Sequence, residues 1–352
     1  MSAPTSPQTT LQSVPSLFSA AAAIAMFFTV VGAAAAQPGR RPAPTDLPTT
    51  RAGAVEKIAE LLERNYSIPE IGKQYANTLR THLKVGDYDK PADADALGKA
   101  ITADLQGVNP DLHLKVRPDQ ARPTPAGAVK RAPLKGIEEA KWIEPGIAYI
   151  RFDVFNGSPE EVSGVKAFMQ QHLNARAIVI DARGHHGGGL EEMDVMLPYL
   201  YAAKTPLVDM DVSEAVAKER GLPMGESTTL VRVNAPPGIV RREHTVFPHP
   251  TEHRLNGVKV FYLTSTHTGS AAEHLALAFK RTHRATLVGE HTAGANHFGG
   301  EEPVGAGLEV WLPVGRTIDP DTGKDWEGTG ILPDVEVPAD QALETALKLA
   351  RD

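Results

Sequence analysis

Cysteine is absent from the 352 residues. That absence excludes disulfides, a thiol nucleophile, Cys-ligated zinc and iron–sulfur clusters together, so any nucleophile carries oxygen or nitrogen. A long run of lysine and arginine is missing too. Thirty-six basic against 43 acidic residues leave a formal charge of −7, so an extended phosphate-binding surface, and with it a nucleic-acid partner, is not expected. Aromatic residues are few at 6%, but 41% hydrophobic residues are enough for a sizeable core. The 31 glycines and 28 prolines fall short of a collagen-like or wholly disordered composition. At roughly 150 residues per domain the length suggests about two domains.

The single long apolar run spans 17–36, LFSAAAAIAMFFTVVGAAAA, and ends in Ala34-Ala35-Ala36 before Gln37-Pro38-Gly39. It reads as a signal peptide over 1–36 with an A-x-A cleavage site, although no Lys or Arg precedes Arg40. About 20 apolar residues also suffice to span a bilayer, so an uncleaved membrane tether is the alternative. Both readings export the body of the protein to the periplasm or beyond. A Pro-rich linker follows at 37–50. Residues 51–116 show helical periodicity, with Val55, Ile58, Leu61 and Leu62 on one face, then Ile71, Tyr75 and Leu79, then Leu97, Ile101 and Leu105. Three helices are expected in this N-terminal subdomain. The stretch 117–135, RPDQARPTPAGAVKRAPLK, has four prolines and no apolar period, and reads as a second linker.

Over 136–352 strands and helices alternate. Strands are expected at 147–152, 177–181, 258–263 and 286–288, and helices at 160–172, 189–201, 271–282 and 340–350. That alternation implies an α/β core whose sites gather at the carboxyl ends of its strands. Two such ends carry chemistry. One runs into Asp181-Ala182-Arg183-Gly184-His185-His186-Gly187-Gly188-Gly189, where glycines let the backbone turn its N–H groups toward a ligand. The other runs into Thr264-Ser265-Thr266-His267-Thr268-Gly269-Ser270-Ala271-Ala272-Glu273, which sets Ser270 on a strand-to-helix turn. An Oγ there sits beside backbone donors and the positive end of a helix, an arrangement suited to acyl transfer; an ordinary N-cap serine has the same local pattern.

Five motifs in order, GIAYIRFDVF, AIVIDARGHHGGG, TSTHTGSAAEHLALAFK, LVGEHTAGA and DWEGTGILPDVEV, resemble the tail-specific, or C-terminal processing, serine peptidases. The branch they resemble contains interphotoreceptor retinoid-binding protein and the tricorn core. The resemblance covers 111–338 and implies a crotonase- and Clp-like spiral α/β core behind the helical subdomain. It also implies a peptide or protein substrate and no cofactor. In this resemblance Ser270 is the nucleophile, and the N–H of Ala271 with that of Gly187 or Gly188 forms the oxyanion hole. Where many members carry a lysine base this chain has Ala295, so a Ser–Lys dyad is excluded at that position. The tricorn-like branch uses His and Glu instead, which assigns His113 as base and Glu327 as its orienting partner. Leu112 replaces the serine that precedes the branch's histidine. His267 and His291 are rival bases. The segment 116–142 is too short for a PDZ domain.

Three other readings compete. His249-Pro250-Thr251-Glu252-His253 matches H-x-x-E-H, but Pro248, Pro250 and Asn256-Gly257 leave no room for the helix that a zinc site of this kind needs. The series Asp319, Asp321, Gly323, Asp325 resembles a calcium loop, yet Gly330 stands where the bidentate Glu belongs, and a hairpin turn is expected. The alternative function is a non-catalytic module on the same fold that binds a lipophilic ligand or peptide. Retention of Ser270, His113, Glu327 and the glycine loop together favours catalysis. The segment 208–246 carries no motif and is expected to shape the specificity pocket.

Overall fold

The computed structural model describes residues 47–119 and 135–352, which fall in one compact unit. The predicted signal run, most of the first linker and most of the second lie outside the described residues. No helix among the described residues is long and apolar enough to cross a membrane.

The three expected N-terminal helices form as α1 (Arg51–Asn65), α2 (Pro69–Lys84) and α3 (Ala94–Val108). Side chains fix two of their starts: Thr50 Oγ1 accepts the Gly53 N–H, and Asp93 accepts that of Ala96. The second linker begins later than the sequence suggests, because β1 (Lys115–Pro118) is a strand. Then come β2 (Ile137–Glu144), β3 (Ile147–Phe152), α4 (Pro159–Gln171), β4 (Ala177–Asp181) and α5 (Glu191–Met196), followed by a short 3-10 turn. Next are β5 (Thr205–Ser213), α6 (Glu214–Arg220), β6 (Leu230–Val233), β7 (Ile239–Val246), β8 (Lys259–Thr264), α7 (Ala271–Arg281) and β9 (Thr286–Gly289). The chain closes with β10 (Phe298–Gly305), β11 (Leu308–Ile318), β12 (Val335–Glu336) and α8 (Ala342–Arg351).

Two sheets organise these elements. The first runs β12-β9-β8-β4-β3-β2, parallel except for the β2–β3 pair. Its inner strands β3, β4, β8 and β9 are largely buried on both faces, as their apolar runs require. Ile178, Ile180, Ile150 and Tyr262 point toward α4, α5 and α7, while Val179, Tyr149, Phe261 and Leu263 pack on Ala342, Ala346 and Ala350 of α8. The second sheet runs β1-β11-β5-β7-β6, with β10 also on β11. Its apolar face, Val304, Leu308, Val310, Leu312 and Val314, is covered by Val55, Ile58, Leu62, Tyr75 and Leu79 of the N-terminal helices. The helical region therefore shares its core with this sheet.

The calcium-like series forms a turn in which Asp319 accepts from Asp321 N and Thr322 Oγ1. It is not the hairpin that the sequence suggests: the next strand, β12, lies in the other sheet. The H-x-x-E-H segment is not helical. His249 Nδ1 accepts the Glu252 N–H, and Glu252 is paired with Arg254.

Candidate active site

The two chemistry-bearing loops leave neighbouring strands, β4 and β8, and are tied to each other. Thr268 Oγ1 donates to Ala182 O at 2.7 Å, Ser265 Oγ to Arg183 O at 2.6 Å, and Gly269 N to His185 O at 2.9 Å. Ser270 follows with φ 56° and ψ −122°, a left-handed conformation that costs a non-glycine residue of order 1–3 kcal/mol. Glu273 stabilises this turn from one turn into α7. Its fully buried carboxylate accepts the N–H groups of Ser270, Gly294 and Ala295 and the hydroxyl of Thr292, all within 2.6–2.9 Å. Burial pushes the Glu273 pKa up, and these donors act against that shift.

Opposite Ser270 the glycine loop comes as close as a backbone can. A Cβ on Gly187 (φ 105°) would stand 2.5 Å from Ser270 Cβ, and one on Gly188 (φ 121°) would stand 1.9 Å from Phe155 O. Only glycine fits either place. The expected oxyanion donors divide here. The Gly187 N–H is engaged by His185 Nδ1 at 3.0 Å, whereas those of Gly188 and Ala271 have no acceptor among the described residues. Both of these residues line a cavity with Ser270. Its apolar wall comes from Leu190, Phe298 and Trp326, with Met210 and Met224 supplied by the motif-free segment 208–246; its polar wall is His274, Asn296 and Thr317.

The expected base, His113, is not among the residues that line this cavity. The His113 ring stacks on Trp311 at 4.6 Å, its Nδ1 is buried without a partner, and burial pulls its pKa down to about 4. No hydrogen bond joins it to Ser270 or to Glu327 among the described residues. Glu327 instead accepts backbone N–H groups of Asn296 at 2.7 Å, His297 at 3.1 Å and Leu112 at 3.4 Å. It therefore grips the segment that carries His113 by its backbone. Of the rivals, His291 is exposed and bonded to the carbonyl of Thr292, and exposed His267 lines a second, polar cavity with Arg183 and Glu290.

Sequence reasoning missed the buried group that anchors the His113 segment. Asp111 accepts from His297 Nδ1 at 2.8 Å, from the Tyr66 hydroxyl at 2.8 Å, and from the N–H groups of His113 and Leu114. Burial opposes charge on both partners, but their mutual attraction outweighs it: Asp111 is held below, and His297 above, its ordinary pKa. Burial and the nearby Asp111 charge raise Glu327. Asp111, His297 and Glu327 bring ligand atoms within 4.8 Å of one another; hydrogen bonds already account for that proximity. The sequence signal was Asp111 itself, two residues before the expected base.

Residues 146–337 match peptidase family S41, and residues 46–143 match the N-terminal domain of this family in eukaryotic IRBP. The chain belongs to peptidase family S41 and is a serine-type peptidase, a hydrolase. Its fold is similar to that of a Parabacteroides merdae protein described as a candidate peptidase, at TM-score 0.60 and 16% identity over 87% of this chain and 98% of that one. The photosystem II D1 C-terminal processing protease is similar at TM-score 0.53 and 14% identity, over 86% and 98% of the two chains. A lipoprotein from Streptococcus agalactiae gives 0.53 and 14%, over 87% and 97%.

Proposed function

We propose that this protein is an exported peptidase, periplasmic or secreted, that cleaves peptides or proteins through an acyl-enzyme on Ser270. The observation that carries the mechanism is the strained Ser270 turn held against Gly187, with the unengaged N–H groups of Gly188 and Ala271 beside it. Ser270 Oγ attacks the scissile carbonyl, and the developing oxyanion is received by those two N–H groups, one in the glycine loop and one at the start of α7. Gly187 supports the hole through its bond to His185 and does not donate into it. His113 takes the hydroxyl proton and returns it to the leaving amine, after which a water activated by the same imidazole frees the acid product. Its low pKa keeps the ring neutral and able to accept. For this step the ring must leave Trp311, because hydrogen bonds of this kind tighten only when substrate is bound. Glu327 orients His113 through the Leu112 backbone. Export is supported by the apolar run at 17–36.

Labelling with a fluorophosphonate probe tests the assignment. Wild type should label with or without EDTA, and Ser270→Ala should not label. A labelled Ser270→Ala protein, or labelling abolished by EDTA, would reject it. Failure of the wild type to label would shift weight to the binding module, and a lipophilic-ligand screen would follow.

A further inference from the structure

A hydrogen-bonded chain of polar side chains, buried at His244 and His274, ends in the wall of the cavity beside Ser270. Thr229 Oγ1 donates to Asp194 Oδ2 at 2.8 Å, and Asp194 Oδ1 lies 2.9 Å from His244 Nε2. His244 Nδ1 then lies 2.8 Å from His274 Nε2. The proton positions follow from chemistry. An ionised carboxylate only accepts, so a singly protonated His244 carries its proton on Nε2 and accepts on Nδ1, and His274 then donates from Nε2. His274 Nδ1 is thereby left as a lone pair with no partner among the described residues, on a side chain that lines the cavity. Burial, with His244 alongside, holds the His274 pKa well below its ordinary value, so the ring stays neutral.

Three elements distant in sequence, α5, β7 and α7, contribute to this chain. Burying the two imidazoles is costly unless each is hydrogen-bonded. Asp194 and His244 are satisfied within the chain, and His274 ends at the space where a substrate side chain would lie.

On the basis that Ser270 is the nucleophile, we propose that the Asp194–His244–His274 chain sets primary specificity. The substrate residue whose carbonyl is attacked has an apolar stem ending in a hydrogen-bond donor, which His274 Nδ1 receives. The stem packs among Leu190, Met210, Met224 and Phe298. An amide or an ammonium satisfies the lone pair, a thioether leaves it unpaired, and a carboxylate sets oxygen lone pairs against it with the Asp194 charge behind. A site built to pair one polar group discriminates strongly against a side chain lacking that group.

The test is a set of internally quenched peptides that differ only at that residue: Gln, Lys, Met or Glu. They are cleaved by wild type, Ser270→Ala, His274→Phe and His244→Phe. Wild type should prefer Gln or Lys over Glu by at least about tenfold in kcat/KM, with Met between them. Whichever of Gln and Lys leads tells amide from ammonium. Both histidine variants should bring the Gln-to-Glu ratio toward one. Ser270-dependent cleavage that treats Glu like Gln overturns this inference alone, and the wild-type panel decides this even if a variant does not fold. Folded histidine variants that keep the wild-type ratio overturn it too, as does a folded His274→Phe that cleaves none of the peptides, which would make His274 the base. Cleavage retained by Ser270→Ala overturns the nucleophile assignment and this inference with it.

Discussion

The two sides of the active site are built differently. Around Ser270 the side chains that hold the turn have partners: Thr264, Ser265 and Thr268 are bonded to backbone, and Glu273 receives four donors. Around His113 the backbone is held by Asp111 and Glu327 but the ring is not, since His113 Nδ1 is buried and unpaired. Ser270, the proposed nucleophile, is thus preorganised by a parallel sheet and a helix terminus, the kind of support that keeps catalytic geometry precise. His113, the proposed base, is carried on a segment held by the carboxylates of Asp111 and Glu327. On that proposal, assembly of the complete site falls to the 111–114 segment.

The comparison can be broken most directly at its ordered side. Ser270→Ala should lower kcat by roughly 10³-fold or more while the thermal unfolding curve is retained; residual activity near wild type would remove the nucleophile. Gly188→Ala forces a Cβ into Phe155 O and should cost about 1–3 kcal/mol or more in urea unfolding, together with activity. An unchanged midpoint would show that the glycine loop is not fixed as described. Glu273→Gln turns an NH₂ group toward backbone or hydroxyl donors, and a loss of about 1–3 kcal/mol is expected from the same measurement.

The other side is sharpened by pH. A base must be neutral to accept a proton, so kcat/KM should fall as pH drops through about 4, the value to which burial brings His113. An acid limb near the ordinary histidine value of 6.5 would overturn His113 as the base. His113→Ala should be inactive, and an inactive His291→Ala in its place would move the base to His291. The smallest expected effect is Tyr66→Phe, which removes one donor from Asp111 and should cost about 1 kcal/mol by denaturant titration.

Legibility in the sequence follows the same division. Strands β3 and β4 were readable to the residue because burial leaves a nearly continuous apolar run; the glycine loop followed from the end of β4, and Ser270 from the end of the similar run in β8. The second sheet was not readable. β5 is buried nearly throughout, yet contains Asp209 and Asp211, whose charges are matched by Arg241 on β7. β10 reads as a glycine-rich loop until β11 supplies its partner. The same holds within the site. The Asp111–His297 pair joins residues 186 apart, and the chain through Asp194 and His244 to His274 has no spacing that a sequence motif could capture. His274 did lie one turn beyond Ser270 on the same helix.

β11 has a consequence for how the protein comes into being. It pairs with β1 through Leu308–Trp311, and so joins segments about 190 residues apart, a loop whose closure is entropically slow. During synthesis from the amino terminus, Ser270 and its helix emerge before β11 exists. The His113 segment has no strand to dock beside, and Trp311, on which its ring stacks, has not yet been made. On the proposed assignment, a nascent chain therefore has its nucleophile before the strand that docks the segment carrying its base.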